Sequence, residues 1–163
     1  MDLTPHYLAR PTICSAFGTP NEVLRLPAAH QDQMHFLDPR GEQWLYDLIA
    51  GAQMLGGPYN DDTGQSHWPF RRGYFQTRQQ SPHLDKKWLY RLGTPFRREV
   101  FLLPAYGPRH AAVTTWKMVI KYLDEISCAD DHYVFDPSFN WCLLIYHEDT
   151  LHFGKDRIAD RSA

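Results

Sequence analysis

His147-Glu148-Asp149-Thr150-Leu151-His152 is the segment whose residue types come nearest to metal chemistry. Imidazoles and carboxylates are ordinary zinc ligands, and the helical zinc motif sets two histidines four apart on one face. Here the histidines are five apart in a segment that reads as β, so alternation sends His147 and His152 to opposite sides. A small metal-dependent hydrolase built from His147, Asp149 and a distant ligand such as His132 stays open as an alternative. Surface or hairpin-pairing histidines are the simpler reading. Carboxylates paired for acid–base work also stay open, because one sequence does not show their separation. No G-x-S-x-G, phosphate-binding loop or G-x-G-x-x-G occurs.

Three cysteines, Cys14, Cys128 and Cys142, form an odd set without a C-x-x-C pair. They read as free thiols of a reducing compartment. Cys142 falls within an apolar strand and is expected to be packed, whereas Cys128 follows a helix and is expected at the surface. Neither has an obvious base partner, so no nucleophilic cysteine is expected. No catalytic residue, metal or cofactor is assigned.

Charge is the stronger signal, once counted by segment. The chain of 163 residues has a formal charge of -2, from 17 Lys and Arg against 19 Asp and Glu. Between Arg71 and Arg98 lie eight cations, Arg71, Arg72, Arg78, Lys86, Lys87, Arg91, Arg97 and Arg98, against Asp85 alone. From Tyr122 to Gly154 there is no Lys or Arg, while Asp124, Glu125, Asp130, Asp131, Asp136, Glu148 and Asp149 give seven negative charges. Two readings follow. Either the segments neutralise each other in the fold, or one of them forms a single-sign surface that steers a charged partner. The acidic segment is the better candidate surface, because its charges fall at turns and strand ends.

The basic segment 68–98 interleaves Trp68, Phe70, Tyr74, Phe75, Trp88, Tyr90 and Phe96 with its cations. Such a pattern can clamp single-stranded nucleic acid, which makes an RNA-binding module a second alternative. Core aromatics beside solvated arginines is the plainer reading. A pI near 6.5 argues against nucleic acid as the main partner.

The elements that must position these residues are legible in part. Asp38-Pro39 reads as an N-cap followed by proline at the first helical position, with Trp44, Leu45, Leu48, Ile49, Ala52 and Leu55 on a core-facing helix. Gly56-Gly57-Pro58 stops it, and residues 58–67 read as a loop. A second helix is expected from Ser81-Pro82 through Leu84, Trp88, Leu89 and Leu92 to Gly93. Val100–Leu103 reads as a buried strand ended by Pro104. The longest helix is expected from about Arg109, carrying Ala112, Trp116, Val119, Ile120 and Leu123 on one stripe. His132–Phe135 and Trp141–Tyr146 read as a hairpin turned by Asp136-Pro137-Ser138, with Leu151–Gly154 extending the sheet. Glu22–Leu26 is a short strand candidate.

Strands and helices mixed without a βαβ rhythm predict an α+β fold. Hydrophobic residues at 43% and charged residues at 22% are ordinary globular usage, and the length fits one domain, residues 1–163, with 1–20 and 155–163 frayed. No signal-peptide pattern and no apolar run of about 20 residues is present, so a cytoplasmic protein without a membrane partner is expected.

The stretch Ala112-Val113-Thr114-Thr115-Trp116-Lys117-Met118 through Trp141-Cys142-Leu143-Leu144-Ile145-Tyr146-His147-Glu148-Asp149 resembles small bacterial proteins. Some of these are encoded beside polymorphic or contact-dependent toxins as immunity proteins. The resemblance covers about a third of the chain, is a helix–hairpin pattern, and does not extend to the N-terminal half. It implies a cytoplasmic, non-catalytic α+β protein that binds and blocks one cognate toxin domain. Immunity proteins share a role and not a fold, so no residue is carried over by position. The expectation is an antitoxin-like binding protein, its acidic residues Asp124 to Asp149 pairing with the basic surface of a nuclease-like toxin.

Overall fold

Thr19-Pro20-Asn21-Glu22 starts the first α-helix by reciprocal hydrogen bonds. The Glu22 backbone N–H donates to the Thr19 hydroxyl (3.3 Å), and the Thr19 backbone N–H donates to the Glu22 carboxylate (2.7 Å). Helix α1 therefore spans Pro20–Val23. Glu22–Leu26, expected as a strand, folds instead as the end of this helix and the turn after it: the Glu22 N–H is taken by the cap, and those of Val23 to Leu26 donate to carbonyls three or four residues back. The computed structural model describes residues 2–51, 75–79, 86–105, 109–147 and 149–155. Along them follow α2 (Ala28–Gln31), β1 (Met34–Phe36), α3 (Pro39–Gly51), β2 (Phe75–Gln79), α4 (Lys86–Arg91) and β3 (Glu99–Pro104). Then come β4 (Ala112–Thr115), α5 (Trp116–Lys121), α6 (Leu123–Ala129), β5 (His132–Phe135), β6 (Trp141–Tyr146) and β7 (Thr150–Lys155).

Helix α3 begins as expected. Asp38 Oδ1 accepts from the backbone N–H groups of Arg40 (2.9 Å) and Gly41 (2.8 Å), and Pro39 occupies the first helical position. Leu45 and Ile49 are buried, while Trp44 stays 38% exposed. Ala52, Leu55, the stop at 56–58, the loop 58–67 and the start of the second helix at Ser81-Pro82 lie outside the described residues. What is described of that second helix is α4, closed by Gly93 at φ +78°.

Among the described residues seven strands form one sheet in the order β1-β4-β3-β5-β6-β7-β2, each pair antiparallel. The fold is α+β. Register sorts the inner strands onto two faces. Val100, Leu102, Val134, Leu143, Ile145 and Leu151 pack against Leu89 of α4 and the apolar residues of α5 and α6. Phe101, Leu103, Val113, Phe135, Cys142 and Leu144 pack against Leu45 and Ile49 of α3. Every residue of β6 is buried, because both faces of the sheet are covered. The β5–β6 turn is the one expected: Asp136 Oδ1 accepts from the Ser138 backbone N–H (2.9 Å) and the Asp136 carbonyl from the Phe139 N–H (3.1 Å).

Two further expectations are corrected. The long helix from Arg109 is strand β4 followed by two short helices. Val113, Thr114 and Thr115 are β-branched and fill the slot between β1 and β3, and the helical stripe holds only from Trp116 onward. The Trp116 N–H donates to the Arg98 carbonyl (2.9 Å) and the Lys117 N–H to the Phe96 carbonyl (3.0 Å), which fastens α5 to the approach of β3. Residues 1–20, expected to be frayed, contribute buried Leu3, Ala16 and Phe17, and Ser15 bridges to His110. Finally, β1 and β2 are strands for which the sequence held no expectation. Among the described residues no helix is long and apolar enough to cross a membrane.

Candidate functional site

Antiparallel pairing gathers the chemistry of the acidic segment at one end of the sheet. The start of β5, the end of β6 and the start of β7 meet there, since His132 pairs with Ile145 and Tyr146 with Thr150. Asp131, just before β5, is buried at 4% exposure. Its Oδ1 accepts from both the backbone N–H of His147 (2.9 Å) and the ring Nδ1 (2.8 Å), while its carbonyl accepts from the Ala105 N–H (2.8 Å). With Nδ1 as donor, His147 presents its Nε2 from a side chain that is 54% exposed. A buried carboxylate thus orients an imidazole at the surface, the arrangement that fixes a histidine's tautomer in bases and ligands alike.

Asp130 and His132 flank this pair and behave differently. Asp130, with its side chain 43% exposed, accepts from Arg109 Nε at 2.9 Å. His132 is fully buried; its Nδ1 bonds the Asp130 carbonyl (2.8 Å) and its Nε2 has no hydrogen-bond partner. Burial pushes the His132 pKa down to about 4, so the ring is neutral at physiological pH. Asp149 holds the β6–β7 turn at φ 54°, a left-handed conformation that Asp tolerates better than most residues.

The remaining acids lie elsewhere. Asp136 closes β5 at its other end, roughly 17 Å from Asp131 by strand rise. It is 2% exposed and accepts from Arg98 Nε (2.7 Å) and from Ser138. Burial alone would raise its carboxyl, but the bonds from Ser138, Arg98 and Trp141 outweigh it and hold the pKa below the usual value. On the first turn of α6, Asp124 pairs with Lys86 (2.7 Å) with its side chain 60% exposed, and Glu125 is exposed. Glu148 lies outside the described residues.

These positions correct the expected acidic surface. Asp131 and Asp136 are interior groups, because each is drawn in by partners from distant parts of the chain. The two charged segments also partly cancel: Lys86 meets Asp124 and Arg98 meets Asp136. Among the described acids of this segment, Asp124, Glu125, Asp130 and the half-buried Asp149 stay accessible. For the metal alternative, His132 is interior, whereas His147 bonds Asp131 through Nδ1 alone. Among the described residues no three His, Cys, Asp or Glu side chains converge as a metal-binding group.

Cys142 is buried, and burial pushes its thiol pKa up; Cys128 is exposed and Cys14 half-buried. Of the basic aromatic segment, Trp68, Phe70, Arg71, Arg72 and Tyr74 lie outside the described residues. Trp88 packs edge-on against Phe153 (6.3 Å between centroids), as a core aromatic does. The Asp131–His147 pair had no local signal. Its partners stand 16 residues apart and meet only across the hairpin register.

The fold and the site together define an α+β protein with a doubly covered antiparallel sheet and an acid–histidine cluster at one sheet end. Neither the protein-family models nor the curated proteins contain a match to this chain.

Proposed function

We propose that this protein is a stoichiometric binding protein, most concretely an immunity protein that occludes a cognate bacterial toxin domain. The observation that carries the reading is the set of accessible acids left by a stretch without Lys or Arg: Asp124, Glu125 and Asp130 on and just after α6, with Asp149 on the neighbouring turn. Asp124 and Asp130 already have partners in Lys86 and Arg109. Such surface pairs contribute only about 0–1 kcal/mol, so a basic partner can displace them at little cost. Complementary potential then supplies fast association and partner choice. The basic substrate-binding surface of a nuclease-like toxin has the matching chemistry, and covering it would block substrate.

The test is co-purification with the product of the neighbouring gene and protection of cells that express it. The triple variant Asp124→Lys, Glu125→Lys, Asp130→Lys is expected to slow association at least tenfold at low salt, with a smaller effect at high salt. Unchanged association rates remove these acids from the interface. Absence of both complex and protection removes the immunity reading itself.

A further inference from the structure

Five cations on α4, α5 and the loop before β3 are not paired with the acids among the described residues. Lys87 and Arg91 stand one turn apart on α4, with Tyr90 between them on the same exposed face. Arg97 follows in the loop that leads into β3. The Lys117 N–H donates to the Phe96 carbonyl (3.0 Å), and Lys86 Nζ donates to the Lys121 carbonyl (3.3 Å), so both exposed lysines of α5 border α4 and that loop. Among the described residues none of these five cations takes part in an ion pair, whereas their sequence neighbours Lys86 and Arg98 are paired with Asp124 and Asp136.

Two aromatic rings lie among them with no core to fill. Tyr90 is 52% exposed and Phe96 is 50% exposed, and their rings meet edge to face with centroids 5.4 Å apart. The edge-to-face contact braces both rings while about half of each residue's surface stays in solvent. Of the described acids near this flank, Asp124 is paired with Lys86, and Glu99 acts electrostatically on Tyr7, whose packing is on the other side of the sheet. Counting Lys86 with these five cations against Asp124 and Glu125, the described residues of this flank carry an excess of positive charge although the whole chain is slightly acidic.

We infer that the α4–α5 flank binds single-stranded nucleic acid, its phosphates held by the cations of α4, α5 and Arg97 and its bases stacked on Tyr90 and Phe96. Cations alone would suit any polyanion, including an acidic protein. Open rings interleaved with the cations select a ligand that brings a flat π-face with nearly every negative charge, which single strands do and duplexes do not. Asp124 of the proposed toxin interface borders this flank through its pair with Lys86, but the five cations and two rings take no part in that interface, so different variants test the two proposals.

The test uses the full chain and fluorescence anisotropy with labelled single-stranded RNA and DNA of mixed sequence, a duplex of the same length, and poly-glutamate as a competitor. Binding to single strands should exceed duplex binding, and log K should fall with log salt with a slope of about -2 to -3, as for three or four neutralised phosphates. The double variant Tyr90→Ala, Phe96→Ala should weaken single-strand binding at least tenfold at constant salt slope. The variant Arg91→Glu, Arg97→Glu should flatten the slope by about 1 or more. All four residues are exposed, and far-ultraviolet circular dichroism with thermal unfolding verifies that the variants fold. No salt-sensitive binding to any oligonucleotide overturns the inference. Equal competition by poly-glutamate, or affinity indifferent to loss of both rings, also overturns it and marks the flank as a docking face for an acidic protein.

Discussion

His132 is enclosed completely, and its one ring hydrogen bond goes to the Asp130 carbonyl. Burial lowers its pKa from 6.5 to about 4, with Arg109 lowering it further and the Asp130 and Asp131 charges opposing. Between these values the unfolded chain binds a proton that the folded chain refuses. The contribution to stability is therefore complete above pH 6.5 and is lost as the pH falls toward 4. About 3 kcal/mol is at stake for a shift of this size. The variant His132→Leu should show a flatter decline of unfolding free energy across this range than the wild type, measured by urea unfolding at several pH values. His110, whose pKa burial also lowers, keeps its share in both proteins. Coincident slopes would exclude His132 as a source of the acid sensitivity.

At the scale of elements, α4 ends where Gly93 takes a left-handed backbone, and a Cβ built there meets nothing within 4 Å. The cost of Gly93→Ala is thus backbone strain without steric clash, about 1–2 kcal/mol. Urea unfolding should show a lower midpoint with an unchanged slope; an unchanged midpoint would mean the helix end rearranges freely. Gly93 was legible as a stop for the same reason that α3 was legible at Asp38-Pro39: local backbone chemistry, readable in a few residues. Strands β3, β5, β6 and β7 were legible as apolar runs bounded by Pro104 and by Asp136-Pro137-Ser138. Strand β4 was not, because Ala112 and the residues from Trp116 share a helical spacing, and burial of β4 on both faces erases the alternation that marks a strand. Strand β1 has three residues, too few for any period, and β2 is held by pairing with β7, which no local pattern encodes. The same limit applies to the site. Asp131 and Asp136 stand beside turns, where carboxylates are usually solvated, and their burial follows from His147 and Arg98, 16 and 38 residues away.

Over the whole molecule, one sheet is the shared wall of two apolar clusters, so neither cluster can open without disturbing the other. Strands β5 and β6 have hydrogen-bonded neighbours on both sides and a short turn between them. Their amides should exchange with solvent only through global unfolding, whereas those of β1 and β2 should exchange faster through local openings. Native-state hydrogen exchange followed by mass spectrometry or magnetic resonance measures this ordering. Uniform protection across all seven strands would show that the edges are as secure as the centre.

The strand order also sets a schedule for biosynthesis. Met34 of β1 pairs with Thr114, and Phe75 of β2 pairs with Gly154, so each edge strand is made roughly 80 residues before its partner. At about 5–20 residues per second, each waits about 4–16 seconds for the strand it will join. The outer margins of the sheet are thus the first strands to leave the ribosome. Strand β1 can dock once β4 has emerged, whereas β2 waits for β7, the last of the seven.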